Sequence, residues 1–302
     1  MLLAVLCLVA VLSFVIISTA TVTKSHADQQ SARQGMMRAR QIAEMGVAVA
    51  VHPQLKAGDT LLQRDISSIE SYQATISTEE GRININAMLS EERLPVLERI
   101  LAFMGLSPAE AQGFAAVLMD CADPDDLKRR PDSAEKLDYE RMGLPGLPFN
   151  RPFQTLDEVE LLPQTARLTA IRPDWRNDFT VRGEGRIDVN TASADVLAAV
   201  TGSSPTAARQ MAAHRQGPDG RSQTPDDRIL TIAEALAMLG IGEEKSHEME
   251  ALLTPQGRTR RVESIGMAAE SRCGIAVVLA QVDGELRMAE WREFPVEAAS
   301  RR

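Results

Sequence analysis

The order of apolar and polar positions changes character several times along the chain. Met1 to Ala20 reads MLLAVLCLVAVLSFVIISTA, with no charge and only Ser13, Ser18 and Thr19 as polar interruptions. At about 1.5 Å per residue, some 20 such residues span a hydrocarbon layer of about 30 Å. Lys24 to Val51 follows without a proline and with glycine only at Gly35 and Gly46. Its apolar or small residues Met36, Ala39, Ala43, Gly46 and Ala50 recur at helical spacing. His52-Pro53 ends the pattern, because the residue before proline is driven out of the α region. The spacing predicts one continuous helix, greasy in its first half and amphipathic in its second. A signal peptide, an ordinary anchor and a long structural stem all remain open for the apolar half. The absence of Lys or Arg before it counts against the first.

Residues 59–71 read as a connection. Gln73–Ser77 and Gly81–Ile85 then read as short strands separated by the polar Thr78-Glu79-Glu80. From Asn86 to about Thr254 the pattern turns helical, in short segments closed by Gly or Pro, with Asp157 and Ser193 as first-turn or cap residues. Arg261–Ala268, Gly274–Val282 and Glu285–Phe294 return to extended character, and Asp283-Gly284 marks a hairpin between the last two. The order is stem, strands, helical block, strands. The economical fold is α+β, a small sheet interrupted by an all-helical insertion, since an isolated pair of strands near residue 80 would have little to pair with.

Composition narrows the partners. The net charge is -9 and the pI about 5.1, a balance that repels phosphate backbones. Two segments, Asp188–Ser204 and Leu239–Gly242, are similar to helix-hairpin-helix DNA-binding elements, and a membrane-anchored DNA-binding protein of a competence system is the alternative reading. The first hairpin continues with Ser203-Ser204 where a second glycine is wanted. The second is followed by Glu243-Glu244, which oppose a phosphate at close range. The small basic run Arg258, Arg260 and Arg261 reads as a solvated edge. Cys7 lies in the apolar run, which leaves Cys121 and Cys273 as a possible bridge, with two small unpaired thiols the favoured reading. The histidines, His26, His52, His214 and His247, sit in no nucleophile or metal motif, so the chain reads as no enzyme. One constellation has ligand chemistry. Asp120, Asp123, Asp125 and Asp126 offer oxygens within a short span, with Glu135 and Asp138 soon after. Such a set suits Ca2+, which takes six to eight oxygen ligands, although the spacing is not that of an EF-hand. A solvated acidic turn with helix caps stays open beside it.

Several motifs, taken in order, resemble the minor pseudopilin K family of the type II secretion system over nearly the whole chain. They are Gly81-Arg82-Ile83-Asn84-Ile85-Asn86, the acidic run Asp120–Asp126, Asn150-Arg151-Pro152-Phe153-Gln154-Thr155-Leu156-Asp157-Glu158, Arg186-Ile187-Asp188-Val189-Asn190-Thr191-Ala192 and Glu290-Trp291-Arg292-Glu293. The resemblance implies a transmembrane helix at 1–22 and a pilin-like domain at 23–86 that is completed by C-terminal strands at 255–302. Between them it implies two inserted modules of the sterile-alpha-motif (SAM-like) type, at 87–186 and 187–254. It implies a single-pass protein of the bacterial inner membrane with its C-terminal domains in the periplasm. Its place would be the pseudopilus tip beside the minor pseudopilins I and J, initiating and capping assembly for export of folded proteins, with calcium in the helical part and no nucleic acid. The first acidic residue of the chain is Asp28. A pilin stem normally carries an earlier glutamate to neutralise the subunit ahead, and a tip subunit has none ahead of it. Cys121-Ala122 and Lys136 depart from the family's usual residues, and the basic leader ending in glycine is not among these residues, either already removed or lost to a late start at Met1.

Overall fold

A computed structural model describes residues 2–131, 133–222, 224, 226–282 and 285–296, without the side chains of 3–5, 7–11, 15, 20, 282 and 285. In chain order the elements begin with α1 (Leu2–Ala50), β1 (Gln63–Asp65), β2 (Glu70–Thr78), β3 (Ile83–Asn84), α2 (Ile85–Met88), α3 (Leu94–Phe103) and α4 (Pro108–Ala122). They continue with α5 (Lys136–Arg141), α6 (Leu156–Glu160), α7 (Thr165–Ile171), β4 (Phe179–Thr180), β5 (Ile187–Asp188), α8 (Ala194–Thr201) and α9 (Pro205–Arg215). The last are α10 (Ile232–Met238), α11 (Glu243–Leu252), β6 (Leu253–Thr254), β7 (Arg260–Ala268), β8 (Ser271–Val282) and β9 (Glu285–Phe294). Packing divides the chain into one unit of Met1–Ile76, Val262–Val277 and Glu290–Arg302, and another of Ser77–Arg261 and Val278–Ala289.

In the first unit the long helix forms as its pattern predicts. Ala39, Ile42, Ala43, Gly46, Val47 and Ala50 are its buried face. The line of small residues exists because β7 runs against the helix backbone. A Cβ on Gly266 would lie 2.1 Å from the Ala39 carbonyl oxygen and 2.3 Å from the Ala43 nitrogen, and one on Gly46 would meet Ser264 and Tyr72. Met36, placed on this face by its spacing, is instead 52% exposed. The line runs back from Ala39 to Gly35, which faces Ser271. Arg38 forks onto Glu70 through Nε (2.7 Å) and Nη2 (2.9 Å), fixing the helix to β2. Among the described residues no helix is long and apolar enough to cross a membrane; the expected span at 1–22 falls in part on side chains outside the description.

The sheet has the order β1-β2-β7-β8-β9. Strands from before and after the helical block therefore lie side by side, as a split sheet demands. The segment Gly81–Ile85 is the exception. It forms a 3-10 turn at Glu79–Gly81 and then β3, which pairs in parallel with β4 rather than joining the sheet. The expected hairpin turn at Asp283-Gly284 lies outside the described residues.

The second unit is helical, and its buried apolar residues form one continuous cluster from Ile83 to Leu253. Two clasps order it. β3 pairs in parallel with β4, and β5 pairs in parallel with β6. Behind each clasp an asparagine reaches across the chain. Asn86 donates to the Phe153 carbonyl (2.8 Å) and accepts from the Phe153 N–H (2.8 Å). Asn190 does the same for Leu230, at 2.9 and 2.8 Å, and also donates to the Pro255 carbonyl. Arg82-Ile83-Asn84-Ile85-Asn86 and Arg186-Ile187-Asp188-Val189-Asn190 are thus the same device used twice. Arg99 on α3 joins the two halves by donating from Nε to the Ala199 carbonyl (3.4 Å) at the end of α8, and from Nη2 to that of Val200.

Where the chain passes into and out of this unit, charges are buried rather than solvated. Glu79 and Glu80 are 1% and 2% exposed. Glu79 accepts from Arg261 Nη1 at 2.7 Å and from the Thr180 hydroxyl. Glu80 accepts from the Thr259 hydroxyl (2.7 Å) and backbone N–H (3.1 Å). Arg261, expected as part of a solvated edge, is 4% exposed, because these partners supply what water would have supplied.

Candidate functional site

The acidic run lies where α4 ends. α4 starts from a Ser107–Glu110 capping box and carries Phe114, Ala115 and Leu118 into the core. Its last turn takes Asp120 into the interior with them, at 0% exposure. The chain then leaves the helix at Asp123 and returns through residues 124–135 to α5. Asp125 Oδ1 accepts the Leu127 N–H at 2.8 Å, turning the loop, and the Arg129 N–H reaches back to Asp120 Oδ2 at 3.1 Å.

The six acidic residues separate into distinct roles. Asp120 and Asp123 converge on one guanidinium: Arg129 Nε stands 3.4 Å from Asp120 Oδ1 and its Nη2 3.4 Å from Asp123 Oδ2, with Nη1 on Glu91. Glu135 is 5% exposed, and neither of its carboxylate oxygens finds a hydrogen-bond partner among the described residues. Asp138 turns to Lys128 Nζ at 2.7 Å and accepts the Glu135 N–H at 3.1 Å. Asp125 shapes the turn, and Asp126 is exposed.

Electrostatics sharpen this division. Burial, and then the negative charge of Asp120, Asp123, Asp126 and Asp125, pushes the Glu135 carboxyl up to about 7. Burial also raises Asp120, against the hydrogen bond from Arg129. Burial and then Asp125 raise Asp123. The hydrogen bond from Lys128 lowers Asp138. Asp120, Asp123 and Glu135 are therefore under-neutralised, while Asp138 has its cation. A set of hard oxygens short of positive charge suits Ca2+ chemically. As arranged, however, no group of three or more His, Cys, Asp or Glu side chains among the described residues could hold a metal ion; the positive charge beside Asp120 and Asp123 is Arg129. Sequence reading singled out the acids and missed Arg129 and Glu91, whose only signal was a cation soon after an acidic run.

Other motifs resolve into structure. In the segment after α5, Arg151 pairs with Glu158 through Nη2 (2.7 Å), and the Gln154 N–H donates to the same carboxylate at 2.7 Å. The two glycine hairpins face one groove of about 700 Å3, which is also lined by Glu243, Glu244 and Lys245, so a phosphate there would meet carboxylates. Cys121 and Cys273 are both free and buried, and burial raises the Cys121 thiol to about 11.

Comparison with known proteins bears on the motifs and on the fold. Residues 81–173 match the family model described as type II secretion system (T2SS), protein K. No curated protein matches the sequence. A chain in the crystal structure of the GspK-GspI-GspJ complex from the enterotoxigenic Escherichia coli type 2 secretion system superposes with a TM-score of 0.61. The two are 13% identical, and the match covers 91% of this chain and 99% of that one. The resemblance read from the motifs holds in sequence over 81–173 and in fold over nearly the whole chain.

Proposed function

Residues 81–173 carry a type II secretion protein K domain, and from this premise we propose that the chain is a minor pseudopilin at the tip of a type II secretion pseudopilus. The carrying observation is the position of that domain. It is inserted between two halves of a sheet that packs on a long stem helix. The stem's uncharged first residues would anchor it once in the bacterial inner membrane, with the remainder in the periplasm. Its partners would be the minor pseudopilins I and J. The helical insertion, two SAM-like modules in this reading, would leave no room for another subunit above it, so the protein would start and cap the filament. No bond-making chemistry is required, so the role is not enzymatic. Nucleic acid has no place in it, since the hairpin groove is edged by Glu243 and Glu244.

Ca2+ belongs to the proposal. Asp120, Asp123, Asp125, Asp126, Glu135 and Asp138 would hold it only after rearranging about the ion, which would supply the positive charge the buried carboxylates lack. The assembly role is tested by deleting the gene in its own host. Folded export substrates should then accumulate in the periplasm, and the stem-bearing full chain should restore export. Unchanged export in the deletion strain would contradict the role.

A further inference from the structure

A groove of about 400 Å3 lies between the first half of α4 and the start of α7, a volume within the range of small-ligand sites. Leu106, Ala109, Gly113 and Val117 give it an apolar floor. The last three are spaced by four, so they form one line along α4. A glycine inside a helix is unfavourable relative to alanine. On that line Gly113 keeps the floor deep, because any side chain there would project into the groove.

Two polar side chains complete the lining from α7, and both have bonding capacity to spare. Gln164 Oε1 is shielded from water and accepts no hydrogen bond among the described residues, which is costly for a buried acceptor. Arg167 is exposed and engages only Nε, on Glu110 at 3.1 Å. Its two terminal nitrogens have no partner among the described residues. A matching guest therefore has an apolar body for the floor, an N–H for Gln164 and an anion for Arg167. A fatty carboxylate brings the first and the third but no donor. The last residue of a polypeptide brings all three when its side chain is apolar, and capture of a terminal carboxylate is a recurring mode of peptide recognition.

We infer that this groove receives the C-terminal residue of a partner protein, an aliphatic one such as leucine. The guest side chain lies along Ala109, Gly113 and Val117. Its N–H donates to Gln164 Oε1 once that side chain turns toward the groove. Its carboxylate accepts from the free nitrogens of Arg167, whose Nε stays on Glu110. Such capture requires nothing of the secretion role proposed above.

Fluorescence anisotropy tests it, with the full chain titrated into a dye-labelled Gly-Ser-Gly-Ser-Leu peptide with a free C-terminus. The amidated peptide and decanoate, added as a competitor, complete the set. Wild type should bind the free acid about fivefold tighter than the amide, the effect of one exposed charge pair. Arg167→Gln should bind both peptides equally, at the affinity wild type has for the amide. Gly113→Leu fills the floor and should bind neither, while melting no lower than wild type because leucine is the better helix former. Should Gly113→Leu melt early, the Arg167→Gln comparison decides alone. No rise in anisotropy with the free acid would overturn the inference. So would equal affinity of wild type for acid and amide, or a preference for the acid that survives in Arg167→Gln. Unchanged binding by a stably folded Gly113→Leu would remove the groove as the site. Displacement of the peptide by decanoate at equal concentration would also overturn it, since a guest without an N–H would then suffice.

Discussion

Replacing Arg261 by methionine should destabilise the protein more than any exposed arginine substitution, because it strands a carboxylate. Glu79 is 1% exposed and takes a 2.7 Å contact from Arg261 Nη1. Without the guanidinium, Glu79 keeps the Thr180 hydroxyl as a donor but no positive charge beside it. Removing one member of a buried ion pair costs about 3–5 kcal/mol, because the survivor is left charged in a medium that cannot solvate it. The double variant Glu79→Met with Arg261→Met removes both charges and should recover most of that loss, since apolar pairs of similar volume are commonly neutral in such places. Urea unfolding of the purified full chain would measure both, read as a change in midpoint at constant slope. A loss below about 1 kcal/mol for Arg261→Met, the range of a surface pair, would refute the buried junction. So would a double variant as unstable as the single one, because the stabilisation would then come from packing of the arginine stem.

Other outcomes follow from the same geometry. Gly266→Val should cost more than about 2 kcal/mol, since its side chain would collide with α1 backbone atoms that cannot rotate away; thermal unfolding checks this, and a wild-type melting temperature would contradict the helix–sheet contact. Asn190→Ala should cost about 1–3 kcal/mol by leaving the Leu230 N–H and the Leu230 and Pro255 carbonyls without their partner, and Asn86→Ala should do likewise at the other clasp. Glu135→Gln should act through pH. The folded-state carboxyl is raised from 4.5 to about 7, so the wild type has its full stability below about 4.5 and loses part of it as pH rises to about 7, with no further change above. In chelator-containing buffer the Gln variant should match wild type near pH 4.5 and exceed it near pH 8, by up to roughly 3 kcal/mol at about 1.4 kcal/mol per pH unit. A constant difference across that range would contradict the buried, uncompensated carboxylate.

Local patterns revealed the elements, and distant partners decided which residues they buried. The helix face through Ala39, Ala43, Gly46 and Ala50 could be read because its period is set by the helix alone. Met36 falls off this face because a spacing of three and one of four both suit a helix, and only Ser271 at the start of β8 shows that the line runs through Gly35. Glu79 and Glu80 read only as polar residues between two strands, since the residues that bury them, Thr259 and Arg261, lie far along the chain. β3 and β5 are two-residue pairings, too short for an alternation pattern. Their shared device was present in the repeated Arg-Ile-(Asn/Asp)-(Ile/Val)-Asn, which becomes meaningful only once Phe153 and Leu230 are seen opposite the asparagines. At the acidic loop the ligand-bearing residues were visible, but not their apportioning between Arg129, Lys128 and the unpaired Glu135, because burial is a property of the fold.

In the proposed function, a stem helix carrying a split sheet and a helical insertion partners the minor pseudopilins I and J. Co-expression with both, followed by purification through a tag on this chain and native mass measurement, addresses it directly. The proposed role predicts one complex containing all three subunits. Recovery of this chain alone, with I and J folded and abundant in the same extract, would contradict it.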